Sequence, residues 1–365
     1  MSDKHDCDSQ PTLERAYLSA QFFSKLAIQC RKRLIKKKNG RANHKAASYC
    51  DEATARSLAE AAVSAEACGL PLLGFAHLPD YLASLVAGRI AGSADPVISS
   101  PAPAMIRSNA MGGIAQLGFD LAVDELIQRA TSYGVALFAQ ENSYTTGELG
   151  YYVRRLAKAG LVALAATNGP ALMAGPGGKK AVYCTNPHAF AAPRLNSPVL
   201  IDQASSATAF ASIRQAAERD IPIPLGWAID AHGEPTTDAK EALRGALMPF
   251  GGPRGANIAL MVEILAAGVS GANWSLDSPG FLSGDRSPGA GLLVIAIAPQ
   301  LLDPGFAARL DRQMQRLKEL GLYVPGERKA RCEDLAHQNG LSIAMPLFQQ
   351  RLRLISAAKV ARPLN

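Results

Sequence analysis

No apolar run in this 365-residue chain reaches the roughly 18 residues needed to cross a bilayer. The opening MSDKHDCDSQ is polar and of mixed charge, so no secretory leader is expected there. Six cysteines, Cys7, Cys30, Cys50, Cys68, Cys184 and Cys332, lie scattered with no CxxC pair, which argues against a local zinc site and a disulfide scaffold. A reduced, cytoplasmic compartment is the expectation. No His, Asp or Glu cluster has ligand spacing, so no metal is expected. No Gly-x-Ser-x-Gly elbow, Walker loop or GxGxxG feeding a helix occurs.

What is present suits a globular protein with a sizeable core: 48% hydrophobic and 19% charged residues, with 32 Gly and 23 Pro marking many turns. The net charge of +7 is concentrated in residues 31–45, RKRLIKKKNGRANHK, without which the chain is nearly neutral. That run lacks interleaved aromatics and matches no nucleic-acid module, so it reads as a solvated extension and no specific nucleic-acid partner is expected. Strands and helices alternate along the middle, which favours a three-layer α/β core with helical additions at both ends. The expected organisation is a weakly ordered extension with the basic run (1–50), a helical region (51–110), an α/β core (111–300) and a helical region packing on it (301–365). A short amphipathic helix is expected over Leu13–Leu26. A capped helix should follow from Asp51 or Thr54 to Cys68, and another from Pro79 to about Ile90. Residues 91–110, rich in Ala, Ser and Pro, read as a linker or a surface excursion. Helices are also expected near Ile114–Tyr133, Glu148–Ala159, Pro304–Leu320, Glu327–Gln338 and Pro346–Ala357, and a buried strand from Leu292.

The stretch Gly160–Pro193 reads as buried strands joined by an exposed connection holding Gly175, Gly177, Gly178, Lys179 and Lys180. Glycine backbones and lysines suit an anion; the alternative is a glycine-rich hairpin with solvated lysines.

Six pieces in order carry a resemblance. They are ENSYTTGELGYYVRRLAKAGLVALAATNG, GPGG with TNPHAFAAP, VLIDQASSATA, GWAIDAHGEPTTDA, MPFGGPRGANIALMVEIL with VSGA, and VPGER. Together they resemble the type-2 malate/L-lactate dehydrogenase family of NAD(P)-dependent oxidoreductases, over about Ala55 to Gly340. The resemblance implies a mixed sheet between helices distinct from the classical Rossmann unit, which would account for the missing GxGxxG. It also implies a homodimer whose two subunits share the active-site cleft, NAD or NADP as cofactor, and a small carboxylate substrate. Its reaction would interconvert a 2-oxo or cyclic 2-imino acid with the 2-hydroxy or cyclic amino acid.

By the same resemblance, cofactor contacts fall at Thr146, Gly147 and Gly150, at Gln203, Ala204 and Ser205, at Arg254 and Gly255 (where the family usually has Lys-Gly), and at Gly326, Glu327 and Arg328. Thr185 and Tyr81 match substrate positions. The proton chemistry does not carry over. The signature Ser-His-Gly-x-x-Arg aligns with Leu72-Leu73-Gly74-Phe75-Ala76-His77, so leucines replace the serine and histidine and His77 replaces the arginine. A second family histidine is Thr145, and the relay carboxylate has no secure counterpart, Ser212 lying near its place. Leucine supplies neither proton nor charge. His77 is the leading candidate for a rebuilt acid and His188 the second, because an imidazole titrates near neutral pH. The alternative is a nucleotide-binding or regulatory relative that has lost ordinary catalysis.

Overall fold

The structure, a computed structural model, describes residues 15–18 and 50–344. The basic run 31–45 and the helix expected over Pro346–Ala357 lie outside the described residues. In chain order the elements are β1 (Arg15–Leu18), α1 (Glu52–Ala67), α2 (Leu78–Val86), β2 (Val97–Ala102), β3 (Met105–Asn109), α3 (Ala115–Tyr133), β4 (Val135–Ser143), α4 (Gly150–Lys158), β5 (Val162–Thr167), β6 (Met173–Ala174), β7 (Ala181–Tyr183), β8 (His188–Ala192) and β9 (Val199–Gln203). There follow α5 (Phe210–Glu218), β10 (Ala228–Ile229), β11 (Pro235–Thr236), α6 (Ala239–Ala242), β12 (Ala246–Leu247), α7 (Pro253–Glu263), β13 (Ala290–Ile297), α8 (Phe306–Glu319), α9 (Glu327–Asn339) and β14 (Leu341–Ala344).

Seven strands form the main sheet in the order β2-β3-β4-β13-β5-β8-β9. Only β3 and β4 run parallel; the other neighbours are antiparallel. Strand alternation sends successive side chains to opposite faces. One face packs Ala136, Phe138, Ala163, Ala165 and Val294 against Phe119 and Leu126 of α3 and Tyr152 and Leu156 of α4. The other face places Ala166 against Val262 and Ala266, where α7 continues as a π-helical turn over Ile264–Val269. The small side chains on these strands let both helical layers approach closely, giving the three layers expected from the alternation of elements. A second, five-stranded sheet in the order β11-β10-β12-β6-β7 carries its own cluster of Met173, Ile213, Ala228, Leu247 and Ala259.

Several local expectations hold. Asp51 Oδ1 accepts the Thr54 N–H at 2.8 Å and starts α1, and Gly69 leaves the helix at φ +73°. Pro79 stands in the first turn of α2, but that helix stops at Val86, short of Ile90, because Gly88 turns the chain at φ +78°. Two expectations fail. Residues 91–110 are not a linker: they supply β2 and β3, Pro101 fits because β2 is an edge strand with one free side, and Pro103 stands in the turn that joins the two strands. Within the helix expected over Leu13–Leu26, residues Arg15–Leu18 form a strand paired antiparallel with β14, a distant partnership that helical periodicity cannot reveal.

α1 also anchors the turn that carries Leu72–His77. Glu66 Oε2 accepts the Phe75 N–H at 2.9 Å, and burial raises its carboxyl to about 7. Because the folded value lies above the unfolded one, this group's stabilisation is present below about pH 4.5 and is lost as pH rises through 7. The ceiling on that loss is about 3 kcal/mol. Urea unfolding at pH 5 and pH 8 should therefore show E66Q, which keeps an acceptor but no charge, losing less stability over this interval than the natural chain; parallel curves would contradict this role for Glu66.

Candidate active site

A cleft of 1580 Å³ opens between the two sheets and the helices at their margins. Such a volume exceeds the 300–1,000 Å³ typical of a single small ligand, so it has room for a dinucleotide and a small acid together. Its walls are the Leu70–Asp80 turn, the β4–α4 loop from Tyr144 to Leu149, the ends of β5 and β9, Thr185 with its neighbours, one side of α5, Gly280–Leu282, and Tyr323–Lys329.

At one end Thr146, Gly147, Gln203, Ala204, Gly326 and Arg328 come together from three parts of the chain. The Thr146 carbonyl accepts from Gln116 Nε2 (3.0 Å) and the Tyr152 hydroxyl (2.8 Å), which fixes the loop, and Gly147 turns it at φ +66°. The start of α4 is not open to a phosphate: the Gly150 N–H donates to Asp202 Oδ2 at 2.8 Å. The start of α9 has no side-chain cap, and Arg328 and Lys329 stand in its first turn. Gly326 there has φ +98°, and a Cβ on it would lie 2.7 Å from Leu200 N and 2.8 Å from Pro198 O, so only glycine fits. An uncapped helix start with two cations suits a pyrophosphate, and these residues fit a nicotinamide dinucleotide. Beneath them lies a buried charge cluster. Glu148 pairs with Arg154 (3.2 Å) and Lys329 (3.4 Å), and Lys329 also reaches Asp202 at 3.6 Å. Burial raises the Asp202 carboxyl, and Lys329 opposes the rise.

The middle wall centres on Thr185. Its shape comes from Asn186, held in the left-handed region at φ +38°. The Asn186 side chain donates to the Ala259 carbonyl (2.8 Å) and to Glu263 Oε2 (2.7 Å). Glu263, buried on α7, also accepts from Ser275 N (2.6 Å) and Ser275 Oγ (2.8 Å). Ser205 is part of the same brace: its N–H donates to the Thr185 carbonyl and its hydroxyl to the Asn186 carbonyl, both at 2.8 Å. The glycine loop lies elsewhere. Gly175–Lys180 joins β6 to β7 on the surface, away from the cleft lining, and Lys179 pairs with Glu234 at 2.7 Å. That arrangement is the hairpin of the two readings.

On the side of α2 and α5 stands His77. Its Nδ1 is 3.2 Å from Asp80 Oδ2, and both residues line the cleft. Arg214 of α5 reaches the same carboxylate oxygen with Nη1 and Nη2, each at 3.4 Å. The bond from His77 and the charge of Arg214 hold the Asp80 carboxyl below its usual range. Leu72 and Leu73 line the cleft here, 44% and 40% exposed.

The remaining expected residues lie outside the cleft lining. Tyr81 is buried under His77, ring centroids 4.9 Å apart, and its hydroxyl takes the Gln116 amide at 3.3 Å. His188 opens β8 with a buried Nδ1 that has no partner among the described residues and Nε2 3.4 Å from Gln203; burial lowers its pKa. Arg254 is exposed at the start of α7, Gly255 is packed on the Phe250 carbonyl, and Glu327 is paired with Arg194 and Lys318. Sequence reasoning missed Asp80, Arg214, Lys329 and Glu263. The spacing His77-x-x-Asp80 was a signal for the first; nothing local marks the others.

The sequence profile of the family described as malate/L-lactate dehydrogenase matches residues 43–350. The chain is 36% identical over 310 residues to the Delta(1)-pyrroline-2-carboxylate/Delta(1)-piperideine-2-carboxylate reductase of Pseudomonas aeruginosa, covering 83% of this chain and 93% of that one. It is also 36% identical over 298 residues to the (2R)-3-sulfolactate dehydrogenase (NADP(+)) of Chromohalobacter salexigens, covering 81% and 87%. The crystal structure of delta1-piperideine-2-carboxylate reductase from Pseudomonas syringae pvar. tomato superposes with a TM-score of 0.84 at 31% identity, over 93% of this chain and 99% of that one.

The brace behind Thr185 is open to test. E263A leaves one N–H of the Asn186 amide and two Ser275 groups buried without their Glu263 acceptor, at about 1–3 kcal/mol for each unsatisfied group. Urea unfolding followed by tryptophan fluorescence should show a loss of at least about 2 kcal/mol; an unchanged midpoint would mean that the network does not form.

Proposed function

The chain belongs to the malate/L-lactate dehydrogenase family, and we propose that this NAD(P)-dependent oxidoreductase reduces cyclic 2-imino acids to the cyclic amino acids, with 2-oxo acids as poorer substrates. The observation that carries the reading is the make-up of the proton-donor end. Two leucines occupy it, and His77 is the only imidazole among the described residues lining the cleft. Reducing a ketone requires a proton on the oxygen as hydride arrives. A cyclic imine can enter already protonated, and hydride addition to its C2 then leaves a neutral amine. Relatives named as reductases of such imines cover about four-fifths of the chain.

Bound NAD(P)H supplies the hydride. Gly326 and Arg328 would hold its phosphates, and Thr146, Gly147, Gln203 and Ala204 would flank the rest of the nucleotide. Thr185 would face the substrate from the middle wall. Asp80 accepts from His77 Nδ1, which orients the ring and leaves Nε2 turned to the substrate as the proton donor when one is needed. The reading includes a cytoplasmic homodimer. In its support, Leu260, Met261, Ile264 and Val269 stand exposed along α7 and its π-helical extension, a stripe that suits burial against a second subunit.

Full-length protein should oxidise NADH or NADPH with Δ1-pyrroline-2-carboxylate or Δ1-piperideine-2-carboxylate, and more slowly with pyruvate or oxaloacetate. H77A should lower ketone turnover by about 10²- to 10⁴-fold and imine turnover much less, measured by absorbance of the reduced cofactor. Silence with all four substrates while cofactor still binds would favour a nucleotide-binding relative without ordinary catalysis.

A further inference from the structure

We propose that Arg214 is the carboxylate anchor of the substrate, and that Leu72 and Leu73 form an apolar wall beside it, so that the site selects a cyclic imine monocarboxylate whose remaining ring atoms are methylenes. The inference deepens the function proposed above and rests on it for the identity of the substrate. The turn Leu70–Asp80, which lines the cleft opposite α5, carries no arginine or lysine. Lys329 is engaged by the buried acids Glu148 and Asp202, and Arg328 stands in the first turn of α9 at the cofactor end. Arg214 stands at the His77 end, with a side chain 39% exposed.

Its geometry suits the task. Asp80 Oδ2 touches both terminal nitrogens of Arg214 at 3.4 Å, longer than a usual charge-assisted bond, and touches His77 Nδ1 at 3.2 Å. One carboxylate oxygen therefore holds the guanidinium and the imidazole side by side. A guanidinium has five N–H donors in a planar fork, so Arg214 retains donors for a bidentate partner while Asp80 steadies it. Asp80 already offsets part of the Arg214 charge, which leaves the end ill-suited to two added carboxylates. The exposed leucines disfavour a second ionised group further, because it would lose water there without gaining a partner. A ring of methylene groups loses nothing against them.

The test uses pyrrole-2-carboxylate, a planar ring acid that hydride does not reduce, with the full-length protein. Titration in the presence of NADPH should show about 10- to 100-fold weaker binding for R214Q, on the scale of one lost charge-assisted contact. R214K, which keeps charge without the fork, should fall between. NADPH affinity should be unchanged in both. Where imines are turned over, KM should rise in R214Q with kcat nearly preserved, the pattern of lost uniform binding. L72S combined with L73S should narrow the preference for Δ1-pyrroline-2-carboxylate over oxaloacetate. Imine reduction by the natural protein together with unchanged KM and unchanged pyrrole-2-carboxylate affinity in folded R214Q and R214K would overturn the role of Arg214 and leave the proposed function standing. Arg214-dependent binding of the probe without any turnover would support the anchor and defeat the proposed function.

Discussion

The structure depends on β13. Its run Ala290–Ile297 is buried along most of its length and hydrogen-bonds on both sides, to β4 and to β5. A backbone buried this deeply must find a partner for every polar group, so β13 fixes the register of both neighbours. Its first residues also hold the loops that leave those neighbours. The Ser143 hydroxyl donates to the Ala290 carbonyl (2.7 Å), the Thr167 hydroxyl to the Gly291 carbonyl (2.6 Å), and the Gly291 N–H to Asn168 Oδ1 (2.9 Å). The Tyr144–Leu149 loop and the end of β5 are two walls of the cleft. One strand, reached only late in the chain, therefore sets the cleft's width.

The two ends of that cleft are built on different electrostatics. Near α9, the acids Glu148 and Asp202 share Lys329, with Arg154 balancing Glu148 from below. Such a cluster is costly to bury unless each charge is paired, and here it joins α4, β9 and α9 beneath one part of the cleft wall. Near α2, a single carboxylate, Asp80, serves both His77 and Arg214 in a more open setting. The first end is fixed by its pairing; the second keeps donor capacity for a ligand. Thr185 lies between them, braced from behind by Glu263 and Ser205.

The leucines at positions 72 and 73 fit this division. They stand in a turn whose backbone is tied to α1 through Glu66 and Phe75, so the turn keeps its shape whatever side chains it carries. Polarity at this end comes from His77 and Asp80 and, from far away in the chain, Arg214 of α5. Side chains of this turn can in this way change without disturbing the sheet.

Much was legible from residues alone. Periodicity and caps marked α1, α3 and β13, and the ordered motifs around Thr146, Thr185, Gln203 and Gly326 indicated which loops would meet, because each carries a local turn or helix-start chemistry. Short strands with prolines, β2 and β3, were not legible, since their pairing is settled by the neighbour and not by their own propensity. Nor were the roles of Ser205 and Gly150, whose donors turn inward to carbonyls and to Asp202 and not toward a ligand. The sequence by itself determined the family and the layered α/β class, both of which are carried by residue identity and order. Only the tertiary structure decided that His77, Asp80 and Arg214 act as one group. The reason is physical: Arg214 lies 134 residues from Asp80 along the chain, and a charge contact of a few ångströms across that separation exists only once both sheets have closed on the cleft.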